Sequence, residues 1–221
     1  MNYDGYYKYD DNIANSYDLD RQEEEHWKLE NIYVEKLYRD INLSTLLDLP
    51  AGTGRFFQYY SKVEKIIGID ISDNMLNVAK KKADSLPFNI LLHRGDAFNL
   101  DYPDDYFEHI VCFRLMHLIP PQQRQALLHE LKRVVSKKII LQIYMAKVIP
   151  LYKKIFYKLK ILFMKTQKSE KPWSHIQAYS LLQKDFDFLL LSTNLEIVKK
   201  TFLCDYLGGE VYVFELSKNT H

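Results

Sequence analysis

The stretches "LLDLPAGTGRF", Leu46 to Phe56, and "KIIGID", Lys65 to Asp70, restrict the fold of this chain more than any other feature. Each runs from apolar residues into an acid, and Asp70 follows the first strand by ~20 residues, the separation of a nucleotide-binding βαβ unit. Thr45 to Leu49 reads as a buried strand, because apolar side chains crowd both faces and turn residues stop it at once. Gly52 and Gly54 then supply positions without a Cβ, where main-chain N–H groups and a helix start can face a polar ligand. Arg55 to Ser61 is expected to continue as an aromatic-rich helix. A glycine pair alone is equally compatible with a tight turn that holds nothing; the second strand and its terminal acid point to a nucleoside. A carboxylate at Asp70 can accept from both ribose hydroxyls, and with Ser72 and Asp73 beside it can also cap the next helix.

The pattern repeats downstream. "SDNMLNVAKKKA" sets Met75, Leu76, Val78 and Ala79 at helical spacing with lysines opposite. Further strands are expected at Asn89 to His93, with Asp96 beyond its carboxyl end, at His109 to Phe113, and at Lys138 to Met145 after a helix from Gln122 to Val135. "YSLLQKDFDFLLLSTNLEIVKKTFL" supplies another helix and strand, and "GGEVYVFELSK" a last strand able to pair antiparallel at the sheet edge. Alternating strands and helices predict an α/β, Rossmann-like, mostly parallel sheet with helices on both faces. Ligands of such sheets bind outside the carboxyl ends of the strands, where Asp48, Asp70, Asp96 and the residues after Cys112 all fall.

With 221 residues and 47% hydrophobic content, the chain can bury one core but has little room for two ordinary domains. Net charge is +1, and no basic start is joined to a long apolar stretch, so a cytoplasmic protein is expected. Cys112 and Cys204 are too few and too distant for a disulfide framework and read as an unlinked buried pair. No His, Cys or carboxylate set has metal-ligand spacing, so no metal is expected.

Taken together, "LLDLPAGTGRF", "IGIDISDNMLNVAKKKA", "GDAFNLDYPDDYFEHIVCFRLMHLIP" and their spacing resemble the class I S-adenosylmethionine-dependent methyltransferases, from near Ser44 to Met145. That resemblance implies a seven-stranded sheet closed by a hairpin, and S-adenosyl-L-methionine as cofactor. It implies that Asp48 and the turn Ala51, Gly52, Thr53, Gly54 hold the methionine part. Asp70 would bind the ribose hydroxyls, Ile71 and Met75 would flank the adenine, Asp96 would accept from its amino group, and the Ala97 backbone would meet a ring nitrogen. Phe113 and Arg114 would close the site after the fourth strand.

Two departures stand out. Pro50 occupies the usual first glycine of the turn, which fixes φ and removes an N–H, so contacts must come from its neighbours. The usual Pro-Gly-Gly turn before the fifth strand is missing from "LKRVVSKKIILQI", so that connection should be shorter or differently bent. A dinucleotide oxidoreductase is the main rival for a glycine turn followed by an acid. It is disfavoured because the three-glycine spacing is absent and Asp48 would turn negative charge toward a pyrophosphate, whereas an ammonium-bearing sulfonium donor welcomes it.

Methyl transfer from sulfonium needs alignment and water exclusion, and a base only where the acceptor must lose a proton. His117, just past the fourth strand, is the candidate base, with packing under its loop as the plain alternative. His93, His109 and His129 fall inside strand or helix patterns.

The flanks should build the acceptor pocket for a small molecule methylated at oxygen or nitrogen. Residues 1–43 read as a helical lid, periodic through Trp27, Ile32, Val34 and Leu37, with 44–145 the cofactor-binding core, 146–175 an insertion and 176–221 the closing helix and hairpin of one domain. "YDDNIANSYD" is similar to the N-terminal segment of small-molecule methyltransferases, which implies that Tyr17 covers the methionine end; Tyr3, Tyr6, Tyr7 and Tyr9 equally suit packing onto the sheet. From Lys147 to Lys171 lysines exceed acids by +7 around an amphipathic stripe of Leu151, Ile155, Leu159 and Leu162. Such a basic helix suits an anionic substrate or surface, or a solvated lysine face over packed residues. No strong nucleic-acid signal accompanies it. A methyltransferase recruited to nucleic acid or lipid, and a cofactor-holding protein without turnover, are the rival functions.

Overall fold

The apolar runs become strands β1 (Leu43–Asp48), β2 (Val63–Asp70), β3 (Ile90–Arg94), β4 (Phe107–Cys112) and β5 (Val135–Ala146), and a terminal pair, β6 (Leu195–Tyr206) and β7 (Gly209–Lys218). Helices α1 (Asp11–Arg21) and α2 (Glu25–Tyr38) precede the sheet, and α3 (Asp73–Asp84), α4 (Arg124–Val134) and α5 (Gln183–Thr193) connect its strands. The structure, a computed structural model, describes residues 11–147, 179 and 181–219. The expectations for Tyr3, Tyr6, Tyr7 and Tyr9 and for the lysine-rich stretch beyond Lys147 lie outside the described residues.

One seven-stranded sheet runs in the order β3-β2-β1-β4-β5-β7-β6. β1 to β5 pair in parallel, and β7 enters antiparallel between β5 and β6, so the hairpin forms that edge. Strand alternation splits the core in two. Leu47, Ile67, Ile110, Ile139 and Leu141 face Leu127, Leu131, Phe186 and Leu190 of α4 and α5. Leu46, Ile66, Val111 and Ile140 face Val34 and Tyr38 of α2, Phe57, Tyr60, and Ala79 and Ala83 of α3. Burial on both faces is what a parallel strand requires, each such aliphatic contributing about 1.5–3 kcal/mol.

The strand order reverses around β1 and β4, which opens a crevice at their carboxyl ends. The loop from Gly95 to Tyr106, which leads away from that crevice, is fastened by Arg133 of α4. Its guanidinium donates to the carbonyls of Leu100 at 2.9 Å and Tyr102 at 2.7 Å and to the carboxylates of Glu130 and Asp104.

The expected helix after Gly54 and the expected buried face of α2 need correction, while the short connection into β5 and the unlinked, buried cysteines are found as expected. Arg55 to Ser61 is not an α-helix; it holds a single 3₁₀ turn, Phe57–Tyr59, because Phe57 and Tyr60 drop into the core and end it. The face α2 buries is His26, Trp27, Glu30, Val34 and Tyr38, while Ile32 is 58% exposed. Without its Pro-Gly-Gly turn, α4 ends at Val134 and β5 begins at Val135, with no residue between. Cys112 and Cys204 are free and buried. Among the described residues no helix is long and apolar enough to cross a membrane.

Candidate functional site

A cleft at the carboxyl ends of β1, β2 and β4 holds about 890 Å³ of empty space, counting the solvent in its open mouth. Of the residues singled out from sequence, Tyr17, Ala51, Gly52, Thr53, Asp70, Ile71, Met75, Asp96, Ala97, Phe113 and Arg114 line it.

The turn after β1 is held from below by Asp70. One carboxylate oxygen accepts from the Gly52 amide at 2.8 Å and the other from the Ser72 amide at 2.9 Å, tying the glycine turn to the start of α3. Burial pushes the Asp70 carboxyl up to about 6, against the pull of the Ser72, Gly52 and Ile71 N–H groups. Ser72 caps α3 by accepting from the Met75 amide at 3.3 Å, so the acid and the cap share one turn. Gly52 has φ +54°, and a Cβ there would meet nothing within 4 Å, so backbone conformation and not crowding demands glycine. At Gly54, φ +72°, a Cβ would stand 2.5 Å from the Phe57 ring; its role is to let that ring pack. Asp96 turns the chain after β3 by accepting from the Phe98 amide at 3.0 Å.

Three expected site residues are not at the wall. Gly54 lies behind the turn. Asp48 shares its strand face with Leu46, so it points into the layer under the loop, where it is 2% exposed and accepts from the Tyr60 hydroxyl at 3.1 Å. Burial raises its carboxyl to about 8, against the Tyr60 hydrogen bond and Arg55, so near neutral pH it is largely protonated. His117 packs edge-on against Tyr144, ring centres 4.7 Å apart, outside the cleft lining.

The far end is built by residues that sequence reading passed over. Arg55 and Trp27 line it, the guanidinium 3.7 Å from the indole centroid, and Arg55 Nη2 meets Glu30 Oε2 at 2.5 Å. Glu30 is fully buried. Arg114, at φ +61°, is anchored by its amide to Gln142 Oε1 at 2.9 Å and directs Nη1 to His26 Nε2 at 2.9 Å. Burial, with Arg114, Arg21 and Arg55 nearby, drops His26 to about 3, so the imidazole is neutral. α1 closes over the turn through Asp18, which accepts from the Thr53 hydroxyl at 2.7 Å and pairs with Lys82 of α3. A signal existed in the sequence: Glu30 interrupts the face α2 must bury and so required a cation, and Arg55 follows the turn directly.

Against known proteins, residues 46–138 match the model of the methyltransferase domain family. A phosphatidylethanolamine N-methyltransferase from Cereibacter sphaeroides is 32% identical over 94 residues, which cover 42% of this chain and 45% of that protein. A demethylmenaquinone methyltransferase from Staphylococcus saprophyticus is 29% identical over 150 residues, 57% of this chain and 63% of that protein. The match thus spans about half to two thirds of these curated relatives. The magnesium protoporphyrin IX methyltransferase of Synechocystis, solved with bound SAH, superposes with TM-score 0.64 at 18% identity over 87% of this chain and 82% of that one. The matched residues, the strand order with its antiparallel hairpin and the turn-and-acid spacing point the same way: residues 46–138 match the methyltransferase domain family, and the sheet has the fold of solved methyltransferases.

Proposed function

We propose that this protein transfers the methyl group of S-adenosylmethionine to oxygen or nitrogen of a small-molecule acceptor. The observation that carries the reading is the convergence of the Gly52 turn, Asp70, Asp96 and Arg114, from the ends of four different strands, on one cleft. The residues fit a nucleoside with an amino acid tail: open space above Gly52 admits close backbone approach, and the two oxygens of Asp70 keep lone pairs beyond the two amides they accept from. Asp70 would take the ribose hydroxyls and Ile71 and Met75 the adenine faces. Asp96 and the Ala97 amide would take the adenine edge, and Ala51 to Thr53 the methionine part. Phe113 and Arg114 would close the pocket, with Tyr17 as its cover and Asp48 supporting the turn from beneath.

The cofactor supplies a methyl group already activated by sulfonium. The chain's own work is to orient the acceptor and keep water out, for which the aromatic walls Trp27, Phe56 and Phe113 are suited. An acceptor that must lose a proton would need His117 to turn from Tyr144 toward the cleft. Support for a small-molecule acceptor comes from the relatives' own names, which point to a menaquinone precursor and a porphyrin.

Titration calorimetry with S-adenosylmethionine and S-adenosylhomocysteine on the wild type and Asp70→Ala tests the reading. Micromolar binding that the variant loses is expected; unchanged affinity in the variant overturns the ribose assignment. His117→Ala, assayed across pH, separates proton acceptance from packing, since only the former removes a pH-dependent limb of the rate.

A further inference from the structure

We infer that the cleft's far end, walled by Arg55, Arg114 and Trp27, is a subsite for a planar carboxylate, so that the methyl acceptor is an organic acid. The inference rests on the methyltransferase reading and names its substrate class.

Two guanidiniums from separate elements reach the same cleft, Arg55 from the turn after β1 and Arg114 from beyond β4. Aromatic rings cover their flat faces: Arg55 sits 3.7 Å from the Trp27 centroid and 4.1 Å from Phe56, and Arg114 lies 5.4 Å from Trp27. Faces so covered leave the edges, where the N–H donors are, for polar partners.

Those edges are incompletely used. Glu30 offers one carboxylate to both, 2.5 Å from Arg55 and 3.9 Å from Arg114. Glu24, 4.0 Å from Arg114, is drawn also to Arg21 at 3.6 Å. His26 accepts from Arg114 but adds no charge. Arg55 Nη1 and Arg114 Nε remain buried without a hydrogen-bond partner among the described residues. Buried donors on charged groups are costly when left unmade, and Arg21, Arg55 and Arg114 outnumber Glu24 and Glu30 by one charge, an imbalance that an added acceptor of negative charge completes.

The geometry selects the class. Planar forks with fixed donor spacing match a carboxylate edge-on, and the aromatic wall beside them suits the flat body of a conjugated or aromatic acid. The cofactor's own amino acid tail carries the same carboxylate but brings an ammonium with it, which two adjacent guanidiniums repel. An acceptor that is a net anion has no such conflict.

The test uses benzoate and its neutral counterpart benzamide as probes, titrated into the wild-type protein saturated with S-adenosylhomocysteine. Benzoate should bind at least ~10-fold more tightly than benzamide, because a site built for charged pairing rejects the analogue that lacks it. Arg55→Met should erase most of that preference, with Arg55→Lys, which keeps the charge without the fork, falling between. Glu30→Gln should act in the opposite direction and tighten benzoate severalfold, since it removes the internal competitor while keeping its shape. An increase cannot arise from damage to the fold, so this arm decides the matter where Arg55→Met does not fold. Equal binding of the two probes, or no gain in Glu30→Gln, overturns the inference. So does benzoate binding that S-adenosylhomocysteine abolishes by competition, which would assign the arginines to the cofactor's own carboxylate. A wild type that ignores S-adenosylhomocysteine but still prefers benzoate would instead overturn the methyltransferase reading and leave the acid subsite standing.

Discussion

The two ends of the cleft are stabilised in contrasting ways. At one end, Asp70 is satisfied by backbone amides of Gly52 and Ser72, close to it in the fold and set by one βαβ unit. At the arginine end, Glu30, Arg55, His26 and Arg114 are gathered from a helix, a turn and a loop that are far apart in sequence, and they satisfy one another only in part. A site made of backbone groups comes with the fold. One made of long charged side chains depends on how α2 docks, and its unfilled donors leave it responsive to a ligand.

The contrast breaks most visibly in stability. Glu30→Ala would strand Arg55 in a buried setting, and chemical denaturation should show a loss of about 3–5 kcal/mol. Loss within the range of an exposed ion pair would mean that α2 packs independently of the arginines. The Asp70 end should answer in affinity instead. Asp70→Ala is expected to weaken S-adenosylhomocysteine by about 100-fold, roughly 2.7 kcal/mol, as two amides and the ribose lose their acceptor.

A pH titration sharpens the same point. If the ionised Asp70 carboxylate is what receives the ribose hydroxyls, S-adenosylhomocysteine affinity should fall as pH drops below about 6, where burial places that group. Calorimetry from pH 5 to 8 should give a falling acid limb that Asp70→Asn lacks.

The smallest effect concerns Asp48, between the two ends. Its folded-state carboxyl, about 8, lies above the ordinary 3.8, so the native state holds its proton more tightly and this group's contribution declines as pH rises from 3.8 to 8. Asp48→Asn keeps an acceptor for Tyr60 and cannot ionise. Its melting temperature relative to wild type should therefore climb across that window, with a gain of at least ~1 kcal/mol at pH 8. A difference independent of pH would show that Asp48 titrates normally.

Most of the fold was legible because its signals are local. Strands buried on both faces make unbroken apolar runs, and Ser72 beside Asp70 announces a helix start. Where reading went astray, long-range packing had overridden a local pattern. The segment after Gly54 has helical composition, yet Phe57 and Tyr60 belong to the core under β1 and β2 and stop the turn. Ile32 fits an apolar period in α2, but the helix turns His26 and Glu30 inward and leaves Ile32 to solvent, because the arginines they meet lie on the sheet side. Asp48 was read as a rim residue from its place at a strand end; the period of two sends it to the other face, onto Tyr60.

By itself, the sequence determined the order of strands and helices, the glycine turn, and the acids that close β2 and follow β3, since each depends on a few adjacent residues and on backbone geometry. Only the tertiary structure decided which acids reach the cleft, that Val134 passes into β5 without a loop, and that Arg55, Arg114 and Trp27 meet at its far end. Charged side chains can be paired across the chain in many ways, and burial against a specific partner, which no local pattern encodes, selects one.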